Sequence, residues 1–129
     1  MKPWARLLIV PIAAAVIFAP AASIADTKRF RAAGSAGDWR WEPSVRRIVR
    51  GDLIVWRNPT NVTHTVTAYR GRWSKNVRLE PGERTRKRFR RRGVYKFRCT
   101  IGAGTSFAHS RLQDGVCSGM CGKVRVRRQ

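Results

Sequence analysis

Val94–Val126 reads VYKFRCTIGAGTSFAHSRLQDGVCSGMCGKVRV. Its opening alternates strictly. Tyr95, Phe97 and Cys99 fall on one face of a strand and Lys96 and Arg98 on the other, because successive strand side chains point to opposite sides. The Cys99 thiol is thereby carried inward at the end of the strand. The close repeats the pattern over Lys123–Arg127, with Val124 and Val126 inward. Between these two strands lie His109, Cys117, Met120 and Cys121. One stretch thus holds all three cysteines, one of the two histidines and the one methionine besides Met1.

The same alternation extends upstream. Val62–Ala68 puts Val62, His64, Val66 and Ala68 on one face and Thr63, Thr65 and Thr67 on the other, so the second histidine points with an apolar set. Taken alone, an inward histidine serves as a hydrogen-bonded core residue or as a ligand. Leu53–Arg57 is apolar at both parities, as expected for a strand buried between layers. Trp39 and Trp41 flank Arg40 in a short strand. Ser44–Arg50, Trp73–Leu79 and Glu83–Arg90 are further candidates, separated by turn signals at Gly51-Asp52, Asn58-Pro59-Thr60-Asn61, Glu80-Pro81-Gly82 and Arg91-Arg92-Gly93. No helical periodicity appears. Seven to eight short strands predict an all-β, antiparallel Greek-key β-sandwich over residues 38–129. The polar, small residues of 26–37 predict a flexible leader.

Lys2 and Arg6 precede an apolar run from Leu7 to Phe18, and Ser23 and Ala25 frame a cut before Asp26, which are the zones of a secretory signal peptide over residues 1–25. The expectation is export to a periplasmic or extracellular compartment, with the segment retained as an anchor as the alternative. An exported, oxidising setting favours pairing of cysteines that hold no metal, and three cannot all pair. Cys117 and Cys121 are the disulfide candidate, which leaves Cys99 for chemistry.

Charge is the other constraint. The chain carries 28 Lys and Arg against seven Asp and Glu. Loss of the signal removes two of the cations and no acid, for a net charge near +19. Such a field attracts acidic proteins, anionic membrane or cell-wall surfaces, or nucleic acid; the alternative is that the arginines simply solvate exposed strand faces. No helix, zinc finger or aromatic platform points to sequence-specific nucleic-acid binding. No Ser-His-acid arrangement is persuasive, and a monomeric non-enzyme is expected.

VRGDLIVWRNPTNVTHTV, LEPGE, RRGVYKFRCT and GMCGKVRV together resemble the cupredoxin family, and within it the plastocyanin-like blue-copper branch, over Trp39–Val126. In that family a Gly-x-Tyr-x-Phe-x-Cys strand delivers a thiolate, a histidine follows the Trp-x-Asn strand, and a loop before the last strand supplies a second histidine and a methionine. The resemblance implies His64, Cys99, His109 and Met120 as ligands of one type 1 copper. It also implies an exported electron carrier with acidic redox partners. A copper-delivery protein is the alternative, and a metal-free polyanion-binding scaffold is a third class. The donor types suit copper, since imidazole, thiolate and a weak thioether serve both of its oxidation states.

The chain departs from the family pattern in one place. Nine residues, TIGAGTSFA, separate Cys99 from His109 where two to four are usual, and Gly102 stands where a closely spaced ligand would. The extra closure entropy is only about 1 kcal/mol. CSGMCG also resembles the Cys-Ser-x-x-Cys-Gly loop of the binuclear copper site of cytochrome oxidase, yet no histidine follows Gly122 to complete such a site.

Overall fold

Phe30, Trp56 and Phe97 have no solvent exposure and meet at the centre of the molecule. Phe30 stacks on Trp56 at 5.9 Å, and Phe97 meets both edge-on at 4.8 and 5.3 Å. Each such pair contributes about 0.5–1.5 kcal/mol beyond the area it buries. These rings come from strands far apart in sequence, so the core fixes the pairing of two sheets. The structure is a computed structural model that describes residues 11–18, 25–71 and 73–128.

Among the described residues there are eleven strands and no helix: β1 (Thr27–Ala33), β2 (Arg40–Glu42), β3 (Val45–Val49), β4 (Leu53–Arg57), β5 (His64–Ala68), β6 (Asn76–Leu79), β7 (Arg84–Arg88), β8 (Gly93–Arg98), β9 (Ser110–Gln113), β10 (Val116–Gly119) and β11 (Cys121–Arg127). One sheet runs β2-β1-β4-β7 and the other β3-β11-β8-β5-β6, while β9 and β10 form a separate hairpin. Inward residues alternate as the sequence predicts: Ile54 and Trp56 on β4, Tyr95 and Phe97 on β8, Val124 and Val126 on β11. Asp52 ties the turn after β3 to the start of the first sheet, accepting from the Val49 and Asp26 backbone amides.

The structure corrects three expectations. Thr27–Ala33, expected within a flexible leader, is β1. It lies between β2 and β4 and buries Phe30 and Ala32. The sandwich is mixed rather than purely antiparallel, because β1 pairs in parallel with β4 and β11 with β3. The segment between His109 and Met120, expected as loop, folds as β9 and β10 about a two-residue turn in which Asp114 and Gly115 both have positive φ, 51° and 77°. That is the geometry Asp-Gly favours in hairpins.

The expected signal segment lies largely outside the described residues. Of its described part, residues 11–18 carry no strand or helix. No helix among the described residues is long and apolar enough to cross a membrane.

Candidate metal centre

His64 opens β5, and Cys99 immediately follows β8 in the same sheet. Their inward faces meet at one end of the sandwich, where His109 joins them from the long loop. Cys99 Sγ lies 3.9 Å from His64 Nδ1 and 3.4 Å from His109 Nδ1, and the two Nδ1 atoms are 3.2 Å apart. A point equidistant from these three atoms lies about 2.0 Å from each, against metal–imidazole bonds of about 2.0–2.1 Å and metal–thiolate bonds of about 2.3 Å. The donor triangle therefore fits one first-row metal ion. His64 and Cys99 are fully buried and His109 is half-buried.

The long nine-residue interval does not disturb this triangle because the main chain closes it off. Residues 100–108 form consecutive tight turns, with Ala103 N–H donating to Thr100 O and Thr105 N–H to Gly102 O. His109 N–H then donates to Ile101 O at 3.0 Å, which shuts the loop at its base. The hairpin that follows is shut in the same way. Met120 N–H donates to His109 O at 2.8 Å, and Cys99 N–H donates to Met120 O at 3.0 Å. Cys99, His109 and Met120 are thus neighbours through their backbones although ten to twenty-one positions apart in the chain. Met120 is fully buried there.

Side chains around the triangle set its orientation. Asn58, 1% exposed at the end of β4, donates through Nδ2 to Val62 O and Leu79 O. Its Oδ1 accepts the Thr60 hydroxyl at 2.6 Å, so Thr60 Oγ1 is left to accept from His64 Nε2 at 2.9 Å. This relay places the ring proton of His64 on Nε2 and leaves the Nδ1 lone pair facing Cys99 and His109, the outer-shell arrangement that orients metal-binding histidines. Thr65 N–H points at Cys99 Sγ at 3.3 Å. Trp39 covers both imidazoles, with ring centres 4.9 Å from His64 and 5.8 Å from His109. Cys117 and Cys121 form a disulfide on either side of the Met120 turn. They offer no bridging thiolates, which removes the binuclear arrangement.

The structure superposes on a purple cupredoxin from Nitrosopumilus maritimus with a TM-score of 0.58, covering 77% of this chain and 98% of that one at 19% identity. It matches a tryptophan-to-tyrosine variant of amicyanin, in its reduced state, at a TM-score of 0.58, covering 78% and 82% at 18% identity. It matches pseudoazurin from Methylobacterium extorquens AM1 at 0.52, covering 81% and 79% at 23% identity. The chain has the cupredoxin fold. No family model and no curated protein matches its sequence.

Within this fold the electrostatics favour neutral imidazoles. Burial, and then the nearby His109, push His64 down from 6.5 to about 4, and burial also lowers His109. Neutral imidazole is the metal-binding form. Burial pushes the Cys99 thiol up, and the backbone amides of Ile101 and Thr65 pull it part of the way back. A thiolate there needs a cationic neighbour, and a bound metal ion is one.

Sequence reasoning named His64, Cys99, His109 and Met120, and the first three converge as donor atoms. It missed Thr60 and the placing of Trp39 and Trp41 against the imidazoles. The shared parity of the two tryptophans was visible, but not which cluster they would cover.

Proposed function

We propose that this protein is an exported electron carrier with one type 1 copper held by His64, Cys99 and His109 and weakly by Met120. The observation that carries this reading is the triangle of two imidazole nitrogens and one sulfur with edges of 3.2 to 3.9 Å. A copper ion bound there would supply a one-electron couple between Cu(II) and Cu(I), for which a trigonal His, His, Cys set with a soft axial neighbour suits both states.

The chain's own residues supply the rest. The Asn58–Thr60 relay holds His64 in one tautomer, and the backbone bonds among Cys99, His109 and Met120 keep the donors from rearranging. Trp41, almost fully buried, backs His64 on the interior side, and Trp39 lies over both imidazoles at the cleft. His109 reaches the surface at a cleft of about 500 Å³ that also includes Trp39, Phe107 and Arg111. Phe107 is 84% exposed, so this cleft presents an apolar rim with a cation beside the one ligand that approaches solvent. An acidic redox partner fits that combination. With Met120 as the fourth ligand, four protein ligands would leave no position open for a substrate, the arrangement of a carrier rather than an enzyme.

Optical and electron paramagnetic resonance spectra after addition of one equivalent of Cu(II) test the proposal. Intense visible absorption with narrow copper hyperfine splitting is expected, and both should vanish in Cys99→Ser. A pale spectrum with ordinary wide splitting would refute it.

A further inference from the structure

We propose that the outer face of the β2-β1-β4-β7 sheet docks on an anionic lipid bilayer. The strand register places three rows side by side on this face: Arg31, Arg57 and Arg84; Arg29, Val55 and Arg86; Thr27, Leu53 and Arg88. Six of the nine positions are arginine and none is acidic. All six arginines are exposed, while Leu53 and Val55 are half-buried and floor a groove of about 600 Å³ between them. Arg31 alone among them has an ion-pair partner, Glu42 on β2.

The shape of the array selects the partner. Neighbouring strands lie about 4.8 Å apart, and alternate residues along a strand about 6.8 Å apart. The charges therefore form a two-dimensional patch rather than a line. An extended polyanion would meet one column, such as Arg84, Arg86 and Arg88, whereas a plane of headgroups meets all six. Arginine guanidinium forms paired hydrogen bonds to phosphate, and long side chains lay their stems over aliphatic floors such as Leu53 and Val55.

Chain order points the same way. β1, at the heart of this face, follows the apolar run Leu7–Phe18, in whose described part Ile12, Val16, Ile17 and Phe18 are 72–93% exposed and uncovered by the fold. Where that segment is retained as an anchor, it and the basic patch would supply two membrane signals to one protein; where it is cut away, the arginine face alone carries the docking.

The opposite sheet is also basic but differently finished. Lys96, Arg98 and Lys123 there are half-buried, and Lys96 and Lys123 share a cleft with Tyr69, Val116 and Cys117. Arg98 donates to Ser110 Oγ. Only Arg47, Arg125 and Arg127 stand free on the outward face of β3 and β11. No residue lines both the arginine groove and the His109 cleft, so docking through the groove leaves that cleft open.

The test uses the full chain and two triple variants of equal net charge, Arg29→Gln/Arg57→Gln/Arg86→Gln and Arg47→Gln/Arg125→Gln/Arg127→Gln. Binding to phosphatidylcholine vesicles with and without phosphatidylglycerol is measured by sedimentation, with inorganic polyphosphate as a soluble competitor. The apolar segment is common to all three proteins and cancels. The first triple is expected to lose on the order of 100-fold in affinity for the anionic vesicles, while the second stays within about threefold of the parent. Equal losses in both would overturn the assignment in favour of bulk charge. So would binding that ignores phosphatidylglycerol, or polyphosphate held more tightly than vesicles by the same arginines. Circular dichroism of both triples, with parental spectra expected, separates loss of binding from loss of fold.

Discussion

Replacing Thr60 by valine isolates the relay behind His64 while keeping side-chain shape. The hydroxyl accepts from His64 Nε2 at 2.9 Å and donates to Asn58 Oδ1 at 2.6 Å. Asn58 Oδ1 keeps the Thr60 backbone amide at 3.1 Å, so it is not orphaned. His64 has no solvent exposure, so its Nε2–H is. An unsatisfied buried donor costs about 1–3 kcal/mol, which sets the expected loss of stability in urea. Part of that cost is avoided if the proton moves to Nδ1, the atom that faces Cys99 and His109. Metal binding must then reverse the tautomer, and outer-shell losses of this kind cost about 10–100-fold in affinity. Copper affinity by chelator competition and imidazole ¹⁵N shifts of the metal-free protein read the two effects separately. Thr60→Ser should restore both. Parental copper affinity and an unchanged Nε2–H tautomer in Thr60→Val, alongside lowered stability, would refute the idea that the hydroxyl presets the donor.

Three further outcomes are expected. His64 sits near 4 in the fold against 6.5 unfolded, so the unfolded chain binds more protons between those values and stability of the metal-free protein rises with pH. Its contribution is complete above about pH 6.5 and is lost as pH falls toward 4, by roughly 3 kcal/mol in urea midpoints across that window; a flat profile would contradict the burial assigned to it. Gly119 has φ of +84°, and a Cβ there would stand 2.6 Å from His109 O, whereas Gly104 has the same φ with open space around it. Gly104→Ala should therefore cost only the backbone strain of about 1–2 kcal/mol, while Gly119→Ala should cost more and also change the copper spectrum; equal effects would show that Met120 and His109 are not coupled through that contact. Converting both Cys117 and Cys121 to serine should lower stability by about 2 kcal/mol, the chain entropy of so short a loop, read from thermal or urea melts; an unchanged midpoint would mean that the hairpin is held by its hydrogen bonds alone.

Much of the fold was legible wherever one face of a strand is plainly apolar. Tyr95, Phe97 and Cys99 announced β8, and Leu53–Arg57 announced β4. β1 was hidden because TKRFRAA offers only Phe30 and Ala32 to the core, and its place is secured by parallel pairing with β4, a contact no local pattern encodes. The β9–β10 hairpin carried a usable signal in Asp114-Gly115 that its polar flanks masked. At the site, donor types sufficed to select His64, Cys99, His109 and Met120 as candidates. Spacing was the poorer guide, since it made His109 look too distant. Thr60 was not legible at all, because the direction of its hydroxyl depends on how the turn after Asn58 closes.

The three hydrogen bonds that link Ile101, His109, Met120 and Cys99 have a consequence for how such chains diversify. Each excursion leaves the end of the sandwich and returns to a stitched seam, so its length is free to drift while the seam is kept. Residues 100–108 and the hairpin tip at Asp114-Gly115 are therefore ports, where insertions would remodel the rim a partner meets without shifting a donor atom. Ligand intervals counted along the chain then lose their diagnostic value, and pairing between the flanks of each excursion becomes the feature to search for.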